Sequence, residues 1–314
     1  MNAEREDGLQ RTVFHALVMH HVGAVAKPRA ISRSTHPMMV ELDYGNELAS
    51  RVRALHAHYA PVVAALPHMQ ARIARVQSRD RADADVQLYA KELLEQIRKS
   101  VRGTLNEAEM EMLARFYGQR VSQRQRTELA KQLRNGLGID IPIDDSNTPE
   151  ILRSFSEENA AAITTIPENA HQEIVNLTLR AFRQGWGQDK LASEIADQFD
   201  VSEGRARFLA RDQVGKLNGQ LTSQRHQNLG IDSYYWRTMR DIHVRPKHRR
   251  REGKLFSYED RPPEGGLPGE DYGCRCAAEP NLANVLATIE QQRRFPGRFS
   301  APLAGTLTGR GRRR

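Results

Sequence analysis

Between Asn46 and His226 the apolar side chains recur three and four residues apart, and at Gly230 that rhythm stops. A stretch with the first property buries itself as helices. Residues 84–102 give the clearest case, with Val86, Tyr89, Ala90, Leu93, Leu94, Ile97 and Val101 on one face. Gly103 closes that helix, and Thr104-Leu105-Asn106-Glu107 reads as a capping box opening the next, which runs to Tyr117. The same reasoning predicts helices at 46–59, 122–135, 149–163 and from Pro167 to Phe182. Asn135-Gly136 is a stop, 138–147 a linker-like turn, and Gly185-Trp186-Gly187 a break. Over 188–226 the pattern predicts two helices around a turn at Val201-Ser202-Glu203-Gly204. A DNA-reading helix–turn–helix and a plain helical hairpin share that length pattern. In the first case Arg205, Arg207 and Arg211 would head the recognition helix.

After Gly230 the texture differs. Ile231 to Thr238 is aromatic and β-compatible and reads as a strand. Residues 239–280 are rich in Gly and Pro and hold both cysteines. The fold class is therefore α+β: a mainly helical N-terminal domain (46–226) followed by a small, loop-rich α+β module (227–285). A weakly structured lead (1–45) and a basic, extended tail (286–314) flank them. At 314 residues the chain is long enough for two domains. No run of ~18 apolar residues exists, so no membrane helix is expected. Glu4, Glu6 and Asp7 ahead of Phe14–Ala26 have the wrong sign for a signal peptide. Two cysteines, Cys274 and Cys276, cannot build a multi-disulfide scaffold. The phosphate-loop, dinucleotide-fold, serine-hydrolase elbow and HExxH metalloprotease motifs are all absent.

The densest set of reactive side chains is Asp241, His243 and His248, followed by Cys274-Arg275-Cys276. Zinc takes about four N, S or O ligands in a tetrahedron. His248, Cys274 and Cys276 supply three, and Asp241, or else His243, supplies the fourth. Such a structural Zn²⁺ would pin a loop region with little core of its own. The other reading of the same residues is two small buried thiols, with His248 hydrogen-bonded to a carbonyl or to Asp241.

The formal net charge is +8, and the excess is concentrated late in the chain. Residues 237–254 hold eight Lys/Arg against two acids, and the chain ends Arg312-Arg313-Arg314. Arg245, Lys247, Arg249, Arg250 and Arg251, near Tyr234, Tyr235 and Trp236, with the terminal arginines, are candidates for non-specific contact with double-stranded DNA. A solvated basic loop, or one facing an acidic protein, is the alternative.

The order of elements from Arg205 to Pro280 resembles the phage head-morphogenesis family of Mu F-type minor head proteins. The resemblance rests on Arg205-Ala206-x-x-Leu209-Ala210-Arg211, Asn218, and Gly230-Ile231-x-x-Tyr234-x-Trp236-x-Thr238. It continues through Asp241-x-x-Val244-Arg245-Pro246-x-His248, Gly253-x-x-Phe256, Pro268-Gly269 and Cys274-Arg275-Cys276. The Mu F-like core would span about 130–280, with weaker likeness back to about residue 90. The chain departs in having Arg211-Asp212-Gln213 where the family usually has Arg-Thr-Glu. The resemblance implies a minor capsid protein in the virion, at the portal vertex or capsid interior, present in the host cytoplasm during assembly. Its implied partners are the portal protein, a scaffold or the major capsid protein, together with packaged DNA. It implies no catalytic residue. An enzyme carried in the virion, a nuclease or an ADP-ribosyltransferase-like protein using Asp241, His243 and His248 as acid, base or ion ligands, is the alternative.

Overall fold

A computed structural model describes residues 29–75, 79–138, 140–262 and 266–283. The first 28 residues and the whole of the expected tail (286–314), with the terminal arginines Arg312, Arg313 and Arg314, lie outside the described residues. Six long helices come first: α1 (Met38–Ala54), α2 (Ala60–Arg75), α3 (Arg79–Thr104), α4 (Glu107–Leu137), α5 (Thr148–Gln184) and α6 (Gln188–Asn228). A 3₁₀ turn, Leu55–Tyr59, joins α1 to α2. The small module follows: β1 (Ser233–Arg237), the one-turn helix α7 (Pro246–Arg249), β2 (Leu255–Ser257) and β3 (Ala277–Pro280). The α+β architecture, with helices first and a small sheet last, is the expected one.

Several boundaries differ from expectation, each for a packing reason. The expected turn at 201–204 does not exist, because α6 is one continuous helix of 41 residues. Glu203 is buried there and ion-pairs with Arg53 of α1 and Arg207 one turn on, so the helix is retained across a turn-like composition. Neither the helix–turn–helix nor the hairpin reading survives. Pro167 does not begin a helix but lies inside α5. A proline there removes one backbone hydrogen bond. Keeping Ile163, Ile166, Ala170 and Ile174 in one buried stripe outweighs it. The expected break between 117 and 122 is also helical: Gly118 lets α4 approach α5, where a Cβ would crowd the Phe155 ring at 3.1 Å. Asn106, not Thr104, caps α4, accepting from the Glu109 N–H at 2.8 Å.

The described part of the expected lead, residues 29–45, is tied to the far end of the chain. The Arg33 guanidinium donates to Glu252 Oε1 and Oε2 at 2.7 and 3.0 Å and to the Thr238 carbonyl. The Ser34 N–H donates to Glu279. Helix α1 starts at Met38, eight residues earlier than predicted, and buries Tyr44 in a stack on Tyr117 with centroids 4.6 Å apart. Among the described residues a large buried apolar cluster runs through the six helices.

The sheet is antiparallel in the order β2-β1-β3, with Tyr234 opposite Phe256 and Trp236 opposite Ala278. One face carries Tyr234, Trp236, Tyr258, Leu267, Cys274, Cys276 and Ala278, all buried. The module thus has a small aromatic core, more than its sequence suggested, and both cysteines belong to it. β2 and β3, of three and four residues, lie in what read as loop.

Candidate metal centre

Trp236 of β1, the short helix α7 and the 271–276 loop converge on one point. Pro246 at the first turn starts α7 and fixes its backbone angle, which aims His248 inward to 3% exposure. Trp236 packs beside it with ring centroids 5.3 Å apart. On the other side the chain turns through Asp271-Tyr272-Gly273, where the Cys274 N–H bonds back to the Asp271 carbonyl at 2.8 Å. Asp212 of α6 is buried and accepts from the Gly273 N–H at 2.7 Å, anchoring this turn to the long helix.

The result is a three-donor cluster. The donor atoms of His248, Cys274 and Cys276 all lie within 4.8 Å of one another, and all three residues are buried. Each sulfur is 3.6 Å from His248 Nδ1. For Zn–S of about 2.3 Å and Zn–N of about 2.05 Å at the tetrahedral angle, the S···N separation is about 3.55 Å. Two sulfurs at this distance from one nitrogen fit a shared ion better than a single S–H···N hydrogen bond. The other ring nitrogen, Nε2, is 2.9 Å from Asp271 Oδ2, which in turn holds Lys247 Nζ at 2.6 Å. A carboxylate behind a ligating histidine fixes its tautomer and ring orientation. Cys276, with the His248 ring, draws the neighbouring Cys274 thiol below the ordinary thiol range, while the same contact and burial push Cys276 above it. A dication between them would make both thiolates.

Asp241 does not join this set. Its carboxylate pairs with Arg275 at 2.6 Å and accepts from the His243 N–H at 3.0 Å. Arg275, between the two cysteines, therefore takes the group predicted as fourth ligand. His243 is exposed and is likewise outside the cluster. Among the described residues, Asp241 and His243 lie outside the group of donors formed by His248, Cys274 and Cys276. Asp271 and Asp212 were missed by sequence reasoning. The available signal for Asp271 was a turn-forming Asp three residues before the first cysteine.

The basic residues divide. Arg245, Arg249 and Arg250 are exposed, and Arg245 donates to the Tyr272 carbonyl. Lys247 is committed to Asp271. Arg251 is buried, its guanidinium 4.9 Å from the Trp236 ring centroid, so it stacks on the module core rather than facing a partner.

Fold and site together define a helical bundle whose last long helix carries a small sheet module, gathered around a Cys₂His cluster. Residues 172–279, which include α6 and that cluster, match the family described as Phage Mu protein F like protein. This part of the chain is similar to that family, in agreement with the resemblance drawn from its motifs. An uncharacterized protein of Haemophilus influenzae is 32% identical over 195 residues, which cover 61% of this chain and 43% of that protein. An uncharacterized protein of Methanocaldococcus jannaschii is 28% identical over 137 residues, 43% of this chain and 21% of that protein. The chain thus spans less than half the length of these curated relatives. No solved structure matches it. Among the described residues no helix is long and apolar enough to cross a membrane.

Proposed function

We propose that the chain acts in phage head assembly as a minor capsid protein, positioned at the portal vertex or capsid interior. The helical part would contact portal, scaffold or major capsid protein. The module would be held by a structural Zn²⁺ on His248, Cys274 and Cys276, presenting Arg245, Arg249 and Arg250 to packaged DNA without base specificity. The observation that carries this reading is the coincidence of the Mu F-like match with the module built around that cluster. Zinc there would cross-link α7 to the 271–276 loop.

Cross-linking mass spectrometry on assembled heads tests the assignment. Cross-links from this chain to portal, scaffold or major-shell subunits are the expected result. Heads that assemble at normal yield without incorporating the chain would refute it.

A further inference from the structure

Three protein donors leave one tetrahedral position open, and the structure indicates what fills it. His248, Cys274 and Cys276 all line a cavity of about 170 Å³ that opens to the surface. Its other walls carry Arg211, Arg245, Arg275 and His243, with the Phe208 and Tyr272 rings in tilted contact, centroids 4.5 Å apart. No carboxylate lines it. The acids bonded to lining residues are occupied: Asp271 by His248 and Lys247, Asp241 by Arg275, Glu41 by Arg211 and Asp212 by Lys216 and the Gly273 N–H.

The arginines are held rather than loose. Arg211 Nε donates to the buried Glu41 at 3.0 Å, Arg275 is anchored on Asp241, and Arg245 on the Tyr272 carbonyl. A guanidinium has five donors in a fixed fork, so one anchoring bond orients the remainder. Two thiolates neutralise a zinc dication, Glu41 and Asp241 offset Arg211 and Arg275, and Arg245, held on a neutral carbonyl, leaves the cavity wall net positive. A cavity of this size has room for a phosphate group.

We infer that this cavity is a binding site for a phosphate-class oxyanion, one oxygen of which takes the open position on the metal while the arginines bind the others. The inference rests on the metal reading above. Arginine forks match tetrahedral oxyanions and bind them by charge-assisted hydrogen bonds.

The test uses the full chain loaded with Co²⁺ in place of Zn²⁺. A thiolate-to-cobalt charge-transfer band reports the Cys₂His centre itself, and the d–d bands report its fourth ligand. Titration with inorganic phosphate at fixed ionic strength should shift the d–d bands saturably, and acetate should do so at least tenfold more weakly. Arg245→Gln should raise the phosphate concentration needed by about tenfold or more, as expected for loss of a charge-assisted hydrogen bond, and Arg245→Lys should recover part of the loss. A charge-transfer band with d–d bands that ignore phosphate, or that respond equally to acetate, overturns the oxyanion site and leaves the metal centre standing. Absence of the charge-transfer band removes the metal centre and this inference with it.

Discussion

Helix α6 meets the cysteine loop through bare backbone, and that contact makes a sharp prediction. A Cβ placed on Gly219 would lie 2.3 Å from the Pro268 carbonyl oxygen, and one on Gly215 would lie 2.4 Å from the Cys274 carbonyl oxygen. Both obstacles are backbone, which cannot swing aside like a side-chain tip. Gly204, in the same helix, is exposed and has nothing within 4 Å of its would-be Cβ. Helix propensity alone favours Ala over Gly by ~1 kcal/mol at all three positions. Overpacking a tight contact costs ~1–3 kcal/mol. Gly204→Ala should therefore stabilise by about 1 kcal/mol, while Gly219→Ala gives a net change between about zero and 2 kcal/mol of destabilisation. At ~2–4 °C per kcal/mol for a chain of this size, thermal unfolding by circular dichroism should separate the two variants by several degrees. Gly215→Ala should in addition loosen metal retention, because it displaces the Cys274 backbone. The Gly204 variant also tests the helix itself, since a turn at 201–204 would lose stability there. The reasoning fails if Gly219→Ala raises the unfolding temperature as much as Gly204→Ala, or if Gly204→Ala lowers it.

Other expectations follow from the same contacts. Replacing Cys274 and Cys276 together by serine should abolish stoichiometric zinc and make the unfolding temperature insensitive to chelator, whereas chelator should lower that of the parent chain; equal chelator sensitivity would remove the pin. Asp271→Asn should weaken zinc binding ~10–100-fold in competition with a chromophoric chelator while leaving the far-ultraviolet spectrum unchanged, as for other groups that orient a ligating histidine. Burial lowers His226 to about 3, with its Nδ1 hydrogen-bonded to Tyr258 at 2.6 Å. The folded value lies below the unfolded ~6.5, so stability is present above pH 6.5 and falls as pH drops, by ~2 kcal/mol at pH 5. His226→Gln should flatten denaturant midpoints over that window. If Arg245, Arg249 and Arg250 each touch one phosphate, the salt slope of DNA binding is about −2.7, or ~40-fold weaker binding at 200 than at 50 mM salt. The triple Gln variant should remove that slope in fluorescence anisotropy titrations.

What was legible in the sequence was local. The 3–4 spacing from Val86 to Val101 reports a buried helix face because the period is a property of the helix alone. The strand at Tyr234–Trp236 and the residue types of the Cys₂His set were readable for the same reason. What escaped depends on partners far along the chain. Ser202-Glu203-Gly204 has the composition of a turn, but Arg53, 150 residues earlier, holds Glu203 in the helix. Arg33 and Ser34 read as lead because their acceptors, Glu252 and Glu279, lie more than 200 residues away. The fourth-ligand assignment failed similarly. Asp241 has suitable chemistry, but Arg275 captures it, and no spacing rule relates residues 34 apart across two loops.

These long-range ties also explain why the module needs so little core. Asp212 holds Gly273, the Gly215–Gly219 face of α6 receives the backbone at Pro268 and Cys274, and the Arg33–Glu252 and Ser34–Glu279 bonds close the opposite side. Each tie places the loop before any ion arrives, so a metal entering the site meets donors already near tetrahedral spacing rather than ordering a free chain. A bound ion would then add strength to a geometry the helix has set, and chelator should loosen the 271–276 loop of a zinc-loaded chain first, well before α6 or the helical core unfolds.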